Sequence, residues 1–447
     1  MQRRRSAPSV RRGNGPGSAP FDVPCPEGFL GVQYLDGTLV TVLAVRPAPP
    51  TPHRLAAPWS AGDGLPGIAG KTLRQWMTRP EGAATVITVV TDGHSGPRHG
   101  PAAAAYRALT GPLSIAGSRR VHVVLGFAPL DHPELVAGYG SGTAAALRAC
   151  RSITRRLGAL LAADGVATTA LTAAELTDFT TARHACGPAF TVLPSTPTGL
   201  PEALESVWRI AGAGTTAVQW RVRADGPVAR ARIRLPAGAA DPVVGASHGW
   251  RPLPADRSPL PGATWPEAAL DRSVVDALAE TVLPCDGAGP LVGADRHGRP
   301  VTLRLAGPDV PLAEISGDLT VAQRLVARLV AVGGGAAVFT DRPRRWAGLI
   351  DAVADPRLLH PASDGPAPLL IDDRPDHRLG PLAGCTVLRV AEPGRPETAA
   401  PEVPAWRADA DDPDRATVTG GGRSLRIRPV STPAEDALVR ASLPLNG

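Results

Sequence analysis

A glycine-rich loop ahead of a long helix is the first segment whose residue types could do chemistry. It contains Gly138, Gly140 and Gly142, with Thr143 at the predicted start of the helix. Backbone N–H groups at a helix N-terminus attract anions, and glycines let a phosphate approach closely. A dinucleotide loop should follow its strand directly, however, and about ten residues separate this loop from Phe127. The loop is therefore a weak cofactor-binding candidate, and its alternative is a flexible lead into a helix capped by Thr143.

Histidines and aspartates gather around two predicted strand ends, where sites on open α/β sheets form. These residues are Asp92, His94, His99, His122, Asp131 and His132. A metal site needs three or four such side chains to converge with supporting hydrogen bonds, and this spacing matches no zinc motif. We interpret them as loop-exposed residues and predict no metal site.

Aspartate groups follow the second half's apolar strands. They are Asp372, Asp373 and Asp376, and then Asp409, Asp411 and Asp412. Paired aspartates at a strand end can hold Mg²⁺ for sugar-nucleotide transfer. The Asp-Arg-Pro sequence of the first group recurs at Asp341–Pro343 after another apolar strand. A strand-terminating turn with a capping aspartate explains both copies without a metal, and we favour that interpretation.

Other catalytic chemistry finds little support in the residue types. Of the 47 basic residues only Lys71 is lysine, which argues against Schiff-base or P-loop lysine chemistry. The five cysteines include no CxxC pair, which excludes zinc ribbons and thioredoxin chemistry and favours a reduced, cytoplasmic chain. No catalytic triad or HExxH motif is present. We predict no enzymatic activity, no catalytic residue and no cofactor.

The charge pattern bears on nucleic-acid binding. A net charge of +6 is modest for 447 residues, and the arginines are spread along the chain apart from a cluster at residues 3–12. Aromatic side chains do not alternate with basic ones as they do on a stacking platform. We therefore predict no nucleic-acid partner.

Strands and helices alternate along the chain, which predicts an α/β fold of two α/β layers with mixed sheets. The clearest hairpin, over Phe29–Val45, turns at Asp36-Gly37. Ala144–Ala163 has the apolar spacing of an amphipathic helix. The proposed organisation is a disordered basic tail over 1–27, a first α/β domain over 28–235, a proline-rich connection with a short helix over 236–282, a second α/β domain over 283–430, and a C-terminal helix and tail over 431–447.

The most informative segment forms one α/β unit. Apolar residues over 319–330 have helical spacing, and Gly333–Gly335 ends that helix. The apolar run Ala336–Thr340 predicts a buried strand, and the Asp-Arg-Pro turn leads into a helix containing Trp346. We expect Trp346 to close the core beneath that helix, so that Trp346→Ala destabilises the second domain rather than removing an activity.

This segment, AQRLVARLVAVGGGAAVFTDRPRRWAGLI, resembles the C-terminal signature of EccE, a core component of the actinobacterial type VII secretion system. The order of several further matches between Gly28 and Val430 strengthens the resemblance. They lie at 31–43, 86–93, 101–112, 119–125 and 171–175. The predicted signature and structural residues are Asp36, Gly37, Gln323, Thr340, Asp341, Arg342, Pro343 and Trp346.

The resemblance implies a structural and assembly role at the cytoplasmic face of a cell-membrane complex. It implies EccB, EccC and EccD homologues as partners, with the ATPase activity belonging to EccC. EccE proteins carry apolar helices ahead of the soluble region, whereas this sequence has no run near the ~18 apolar residues of a spanning helix. Either an N-terminal anchor is missing through a start-site error, or the chain, itself soluble and cytoplasmic, docks on its partners.

The alternative function is a nucleotide- or sugar-nucleotide-binding, glycosyltransferase-like enzyme on a doubly wound scaffold. Such scaffolds host both kinds of protein, so the fold alone does not decide between them. An enzyme should bring its polar groups together in one crevice at the strand ends, and this is the feature to examine in the structure.

Overall fold

The computed structural model describes residues 18–55, 67–94, 96, 100–111, 113, 115, 117–184, 189–192, 204, 207, 213–223, 226–234, 250–252, 272–307, 309–375, 379–392, 402–412 and 414–440. The predictions made for His99, Asp376 and residues 1–17 lie outside these ranges.

The first half of the chain contains twelve described strands and six described helices. The strands are β1 (Phe21–Cys25), β2 (Gly28–Leu35), β3 (Thr38–Val45), β4 (His53–Arg54), β5 (Gly67–Ala69), β6 (Thr85–His94), β7 (Ser118–Phe127), β8 (Thr168–Ala170), β9 (Ala189–Val192), β10 (Ala213–Arg223), β11 (Gly226–Arg234) and β12 (Trp250–Pro252). The helices are α1 (Gly70–Met77), α2 (Pro80–Ala83), α3 (Pro101–Thr110), α4 (Pro133–Ala137), α5 (Gly142–Ala163) and α6 (Ala173–His184).

The second half continues this alternation. Its strands are β13 (Val282–Pro284), β14 (Leu291–Ala294), β15 (Pro300–Thr302), β16 (Leu312–Ser316), β17 (Ala336–Thr340), β18 (Leu359–Pro361), β19 (Leu369–Asp373), β20 (Thr386–Ala391), β21 (Ala405–Ala408), β22 (Ala416–Gly420) and β23 (Arg423–Ile427). Its helices are α7 (Arg272–Ala279), α8 (Leu319–Ala331), α9 (Arg344–Val353), α10 (Pro433–Arg440) and a 3₁₀ turn over Ala362–Asp364. The α/β class predicted from the sequence is confirmed.

In the first half, the described strands form a ten-stranded sheet in the order β1-β2-β3-β7-β6-β10-β11-β9-β12, with β8 beside β3. Every described pair is antiparallel. The predicted hairpin between β2 and β3 is confirmed. Asp36 and Gly37 both have positive φ, 46° and 85°, as a two-residue type I′ turn requires.

The prediction of a disordered segment over residues 1–27 is wrong for β1. Phe21–Cys25 pairs antiparallel with Gly28–Val32 of β2 and so becomes an outer strand of the first sheet. The proline and cysteine content of this segment concealed the strand. A proline is tolerated there because a strand with one unpaired side does not need every N–H group for the sheet.

The first sheet packs a core on each face because successive residues of a strand point in opposite directions. Val123 and Leu125 of β7 belong to the larger core, which includes the buried side of α5, whereas Val124 belongs to the smaller core beside α6. The predicted amphipathic face of α5 is buried at Cys150, Ile153, Leu157 and Leu161. Leu147 and Leu160 of the same face pack partly buried against this core.

The second half contains an eight-stranded sheet in the order β18-β17-β19-β20-β16-β21-β22-β23 among the described residues. Strands β16 to β21 are parallel, and β22 and β23 extend the sheet as an antiparallel hairpin. The predicted stop after α8 is confirmed, since Gly333 has a φ of 97° and Gly334 N–H bonds to the Leu329 carbonyl.

Contacts cross between the two halves. Strand β5 pairs with β13, and β4 pairs with β15. Helix α3 contributes Ala102 and Tyr106 to the second core, and the Leu291 N–H donates to the Tyr106 hydroxyl at 3.0 Å. The domain boundaries stay a prediction, and these contacts show that short segments of the first half pack with the second.

Candidate functional site

The crevice at the carboxyl ends of the parallel strands is where a doubly wound sheet would bind a ligand. The chain leaves β16 through α8 toward β17, whereas it leaves β20 in the opposite direction toward β21, so the switch in direction falls between β16 and β20. The Gly317 N–H donates to the Ala391 carbonyl at 3.0 Å across this point. The buried Trp406 of β21 packs beside Gly317, since a Cβ on Gly317 would lie 3.0 Å from the Trp406 ring.

The helix that starts beside this crevice already carries an anion. Asp318 is the N-cap of α8, and its carboxylate accepts a hydrogen bond from the Val321 N–H at 2.7 Å. In a nucleotide-binding sheet a phosphate would occupy the N-terminus of such a helix. A carboxylate there satisfies one of the free N–H groups and repels a phosphate.

The signature residues after β17 converge on a carboxylate from the neighbouring strand. Asp373, at the end of β19, accepts hydrogen bonds from Thr340 Oγ1 (2.9 Å), Trp346 Nε1 (2.6 Å) and both Nε and Nη2 of Arg342 (3.0 and 2.7 Å). Its side chain is 1% exposed, and that of Arg342 is 30% exposed. The hydrogen bond to Asp373 raises the pKa of Arg342 above its ordinary value.

This cluster joins β17, β19 and the helix α9, which follows β17. Trp346 is fully buried beneath α9, and the Gln323 side chain of α8 donates to the Arg345 carbonyl at 2.6 Å. The prediction of a capping aspartate is wrong for Asp341, because α9 begins at Arg344 with Pro343 as its N-cap and no side-chain cap. The adjacent strand supplies the organising aspartate instead.

The other buried carboxylates at this edge are also paired. Asp372 accepts from Arg374 Nε at 2.9 Å and from the Leu379 N–H at 2.7 Å, which braces the loop after β19. Glu314 of β16 forms ion pairs with Arg389 and Arg407 at 3.7 and 3.6 Å. Asp409, Asp411 and Asp412 lie in the β21–β22 loop, where Asp412 pairs with Arg415. These contacts hold the sheet edge together and leave no three-carboxylate cation site in the described residues.

The glycine loop lies between two helices rather than after a strand. Gly138 is the C-cap of α4, and α5 begins at Gly142. Because Ser141 is the N-cap and makes no side-chain cap bond, the expectation that Thr143 caps the helix is wrong. Gly138, Gly140, Gly142 and Thr143 are all exposed.

The loop interpretation is wrong for Asp92 and His94, which lie on β6, and for His122, which lies on β7. Asp92 Oδ2 lies 4.0 Å from His122 Nδ1, and its other oxygen accepts from the Thr215 hydroxyl. His94 instead contacts the Val332 carbonyl of the second half at 3.4 Å. Asp131 and His132 lie at the opposite end of β7, where His132 faces Glu134.

Two buried thiols and one buried phenol stay in their protonated, unreactive form. Burial raises the pKa of Cys150, Cys285 and Tyr106 to about 12 in each case. Each group therefore stays protonated at neutral pH, and neither thiol is available as a thiolate nucleophile.

Sequence reasoning missed the acceptor role of Asp373 and a second buried cluster around Arg328. Arg328 of α8 binds Glu435 of α10 through two hydrogen bonds, Nε to Oε1 at 2.7 Å and Nη2 to Oε2 at 3.0 Å. Its Nη1 donates to the Leu291 carbonyl at 2.9 Å. An arginine inside an apolar helical pattern was the available signal, because such a residue needs a partner when buried.

The fold is that of an α/β protein. Its buried carboxylates at the carboxyl ends of the second sheet's strands pair with arginines of the same chain. Residues 115–229 match the model of the family described as "Putative type VII ESX secretion system translocon, EccE". The match spans about a quarter of the chain, from the start of β7 into β11, and includes all of α5. The chain therefore carries an EccE-like region, which supports a role as a type VII secretion component.

A comparison with curated proteins finds no match. Among the helices that the structure describes, none combines the length and apolar character needed to cross a bilayer.

Proposed function

We propose that this chain is a non-enzymatic structural and assembly subunit of a type VII protein secretion complex. The observation that carries the proposal is the EccE match over residues 115–229. In this role the chain lies at the cytoplasmic face of the membrane complex and contacts EccB, EccC and EccD homologues, through which it associates with the membrane.

The geometry of the second sheet supports the non-enzymatic part of the proposal. Gly317 bonds to Ala391 across the switch point and packs against Trp406. The helix N-terminus beside it carries the Asp318 carboxylate. The buried carboxylates Asp372 and Asp373 bond to Arg374, Arg342 and Trp346 of this chain. A sugar-nucleotide enzyme would need donors and carboxylates directed at a ligand, so the alternative function gains no support from these contacts.

A secretion assay tests the proposed function. Deleting the gene should remove type VII substrates from the culture filtrate, and the full-length chain supplied in trans should restore them. Quantitative mass spectrometry of filtrate and lysate separates loss of secretion from loss of expression. Unchanged secretion in the deletion strain would contradict the proposal.

A ligand test addresses enzymatic activity independently. Thermal unfolding of the purified chain with saturating ATP or a UDP-sugar should give an unchanged Tm. A ligand at 100 times its Kd stabilises the native state by about 2.7 kcal/mol, so real binding would raise the Tm by several degrees. Such a rise with either compound would overturn the non-enzymatic assignment.

A further inference from the structure

A solvent-accessible groove of about 680 Å³ lies along α5 in the first half. One wall is the α5 face that includes Arg148, Arg151, Arg155 and Ala162, and the opposite wall includes the turn from β1 into β2. Spacings of three, four and seven residues place these side chains on one face of a helix. From residue 148 to residue 162 the helix rises about 21 Å, so the groove is elongated.

The groove has apolar and small residues between its charged ones. Leu30 and Leu43 are buried beneath it, while Gly158 and Ala159 present little side chain on the α5 wall. Phe29, 56% exposed, is a further apolar lining residue. A surface that combines apolar area with flanking charge suits an amphipathic segment.

The positive charges along the groove lack acidic partners. Arg46 bonds to the Thr169 hydroxyl, Arg148 to the Tyr139 carbonyl and Arg151 to the Pro24 carbonyl, at distances of 2.7 to 3.0 Å.

Arg155 is exposed. In the described part of the chain none of the four groove arginines pairs with a carboxylate, and Glu27 is the acidic residue among those that line the groove. The arginines of the second sheet, such as Arg342, are instead matched by buried acids.

We propose that this groove binds an acidic, amphipathic segment from another subunit of the secretion complex, about 14 residues long as an α-helix. The proposal rests on the proposed function. Carboxylates of such a segment would form ion pairs with the groove arginines, and its apolar side chains would cover Phe29 and the small residues of α5.

Two other occupants fit this groove less well. The chain's own residues 1–17 contain five arginines and no acidic residue, so their charge opposes binding there. A membrane surface is broad, whereas these arginines line a concave groove about 21 Å long. An elongated acidic polypeptide matches both the shape and the charge.

Site-specific photo-crosslinking tests the proposal in the full chain. A photoreactive amino acid replaces Ala159, which is exposed and lines the groove, and the crosslinked peptide is sequenced from complexes isolated with native membranes. We expect a crosslink to an acidic segment of another secretion subunit. Arg155→Glu should lower its yield about tenfold through like-charge repulsion. The matched control is Arg426→Glu on β23, an exposed arginine remote in sequence from the groove, which should leave the yield unchanged.

The outcomes separate this proposal from the function on which it rests. If the secretion subunits co-purify but the crosslink goes to lipid, to residues 1–17 or to a segment without acidic residues, the groove proposal is wrong and the proposed function stands. Equal crosslinking of wild type and Arg155→Glu, with unchanged thermal unfolding of both, also refutes it. If wild-type chain recovers no secretion subunit, the proposed function itself fails.

Discussion

Asp373 is the main hydrogen-bond acceptor at the carboxyl ends of β17 and β19. Its carboxylate is buried and accepts four hydrogen bonds from Thr340, Arg342 and Trp346. A buried charge is tolerated only when it is paired and hydrogen-bonded. Here the donors come from the end of β17, the turn after it and the first residues of α9. The cluster therefore fixes the register between β17 and β19 and the start of α9.

Two substitutions at Trp346 separate its packing from its hydrogen bond. Trp346→Ala should lower the free energy of unfolding by about 3–5 kcal/mol, because it leaves a cavity under α9. Trp346→Phe keeps most of the packing but removes the Nε1 donor to Asp373, with an expected loss of about 1.5–3 kcal/mol. Urea unfolding measures both. Unchanged unfolding together with lost partner binding would show that Trp346 is an interface residue instead.

The sequence identified the donors of this cluster but not their acceptor. Thr340, Arg342 and Trp346 lie within seven residues of one another, and their order carried a family resemblance. Asp373 follows about thirty residues later, and only the parallel pairing of β17 with β19 brings Thr340 opposite it. Local spacing gives no information about such a pairing, which explains why Asp373 was interpreted only as a possible metal ligand or turn residue.

Helix α10 is held to the second core by a buried ion pair. The side chains of Arg328 and Glu435 are 3% and 2% exposed, and their two hydrogen bonds join α8 to α10. The sequence predicts a C-terminal helix and tail over 431–447, and α10 lies within these residues. Its docking place depends on a pairing across 107 residues, which periodicity cannot show.

Removing one partner of this ion pair should destabilise the protein more than replacing both partners with apolar residues. Glu435→Ala leaves Arg328 buried without its carboxylate and should destabilise the protein by about 3–5 kcal/mol. The double variant Arg328→Met, Glu435→Leu removes both charges and should recover most of that loss. The control is Asp436→Ala, whose partly exposed pair with Arg324 should contribute at most about 1 kcal/mol.

Urea unfolding of the three variants gives the comparison. A loss in the double variant equal to or larger than that of Glu435→Ala would contradict the assignment of Arg328 and Glu435 as a mutually compensating buried pair.

At the scale of the whole molecule, the two halves share strands and helices rather than meeting at one linker. Strand β4 of the first half pairs with β15, and α3 packs into the second core. The α/β class, the β2–β3 hairpin and the amphipathic face of α5 followed from local pattern. The exchange of short segments between halves did not, because two- and three-residue strands such as β4 and β5 have too little pattern to identify.

The buried His53 of β4 makes the free energy of unfolding depend on pH. Burial, together with the nearby charges of Arg423 and Arg304, lowers the pKa of His53 from 6.5 to about 4. The unfolded chain therefore binds this proton at a higher pH than the folded chain does. The stabilisation is present above pH 6.5 and is lost as the pH falls toward 4, by about 3 kcal/mol.

His53→Gln isolates this contribution because glutamine does not titrate. The free energy of unfolding in urea, measured from pH 7 to pH 4.5, should fall more steeply for wild type than for His53→Gln. Parallel curves for the two proteins would show that His53 titrates equally in both states.

The central claim is that the chain works as a subunit of a type VII secretion complex. Affinity purification of the tagged full-length chain from mildly solubilised native membranes, followed by mass spectrometry, tests it most directly. We predict recovery of EccB, EccC and EccD homologues in the membrane fraction, at levels well above those from an untagged strain. Recovery of the chain without any of these subunits would contradict the account.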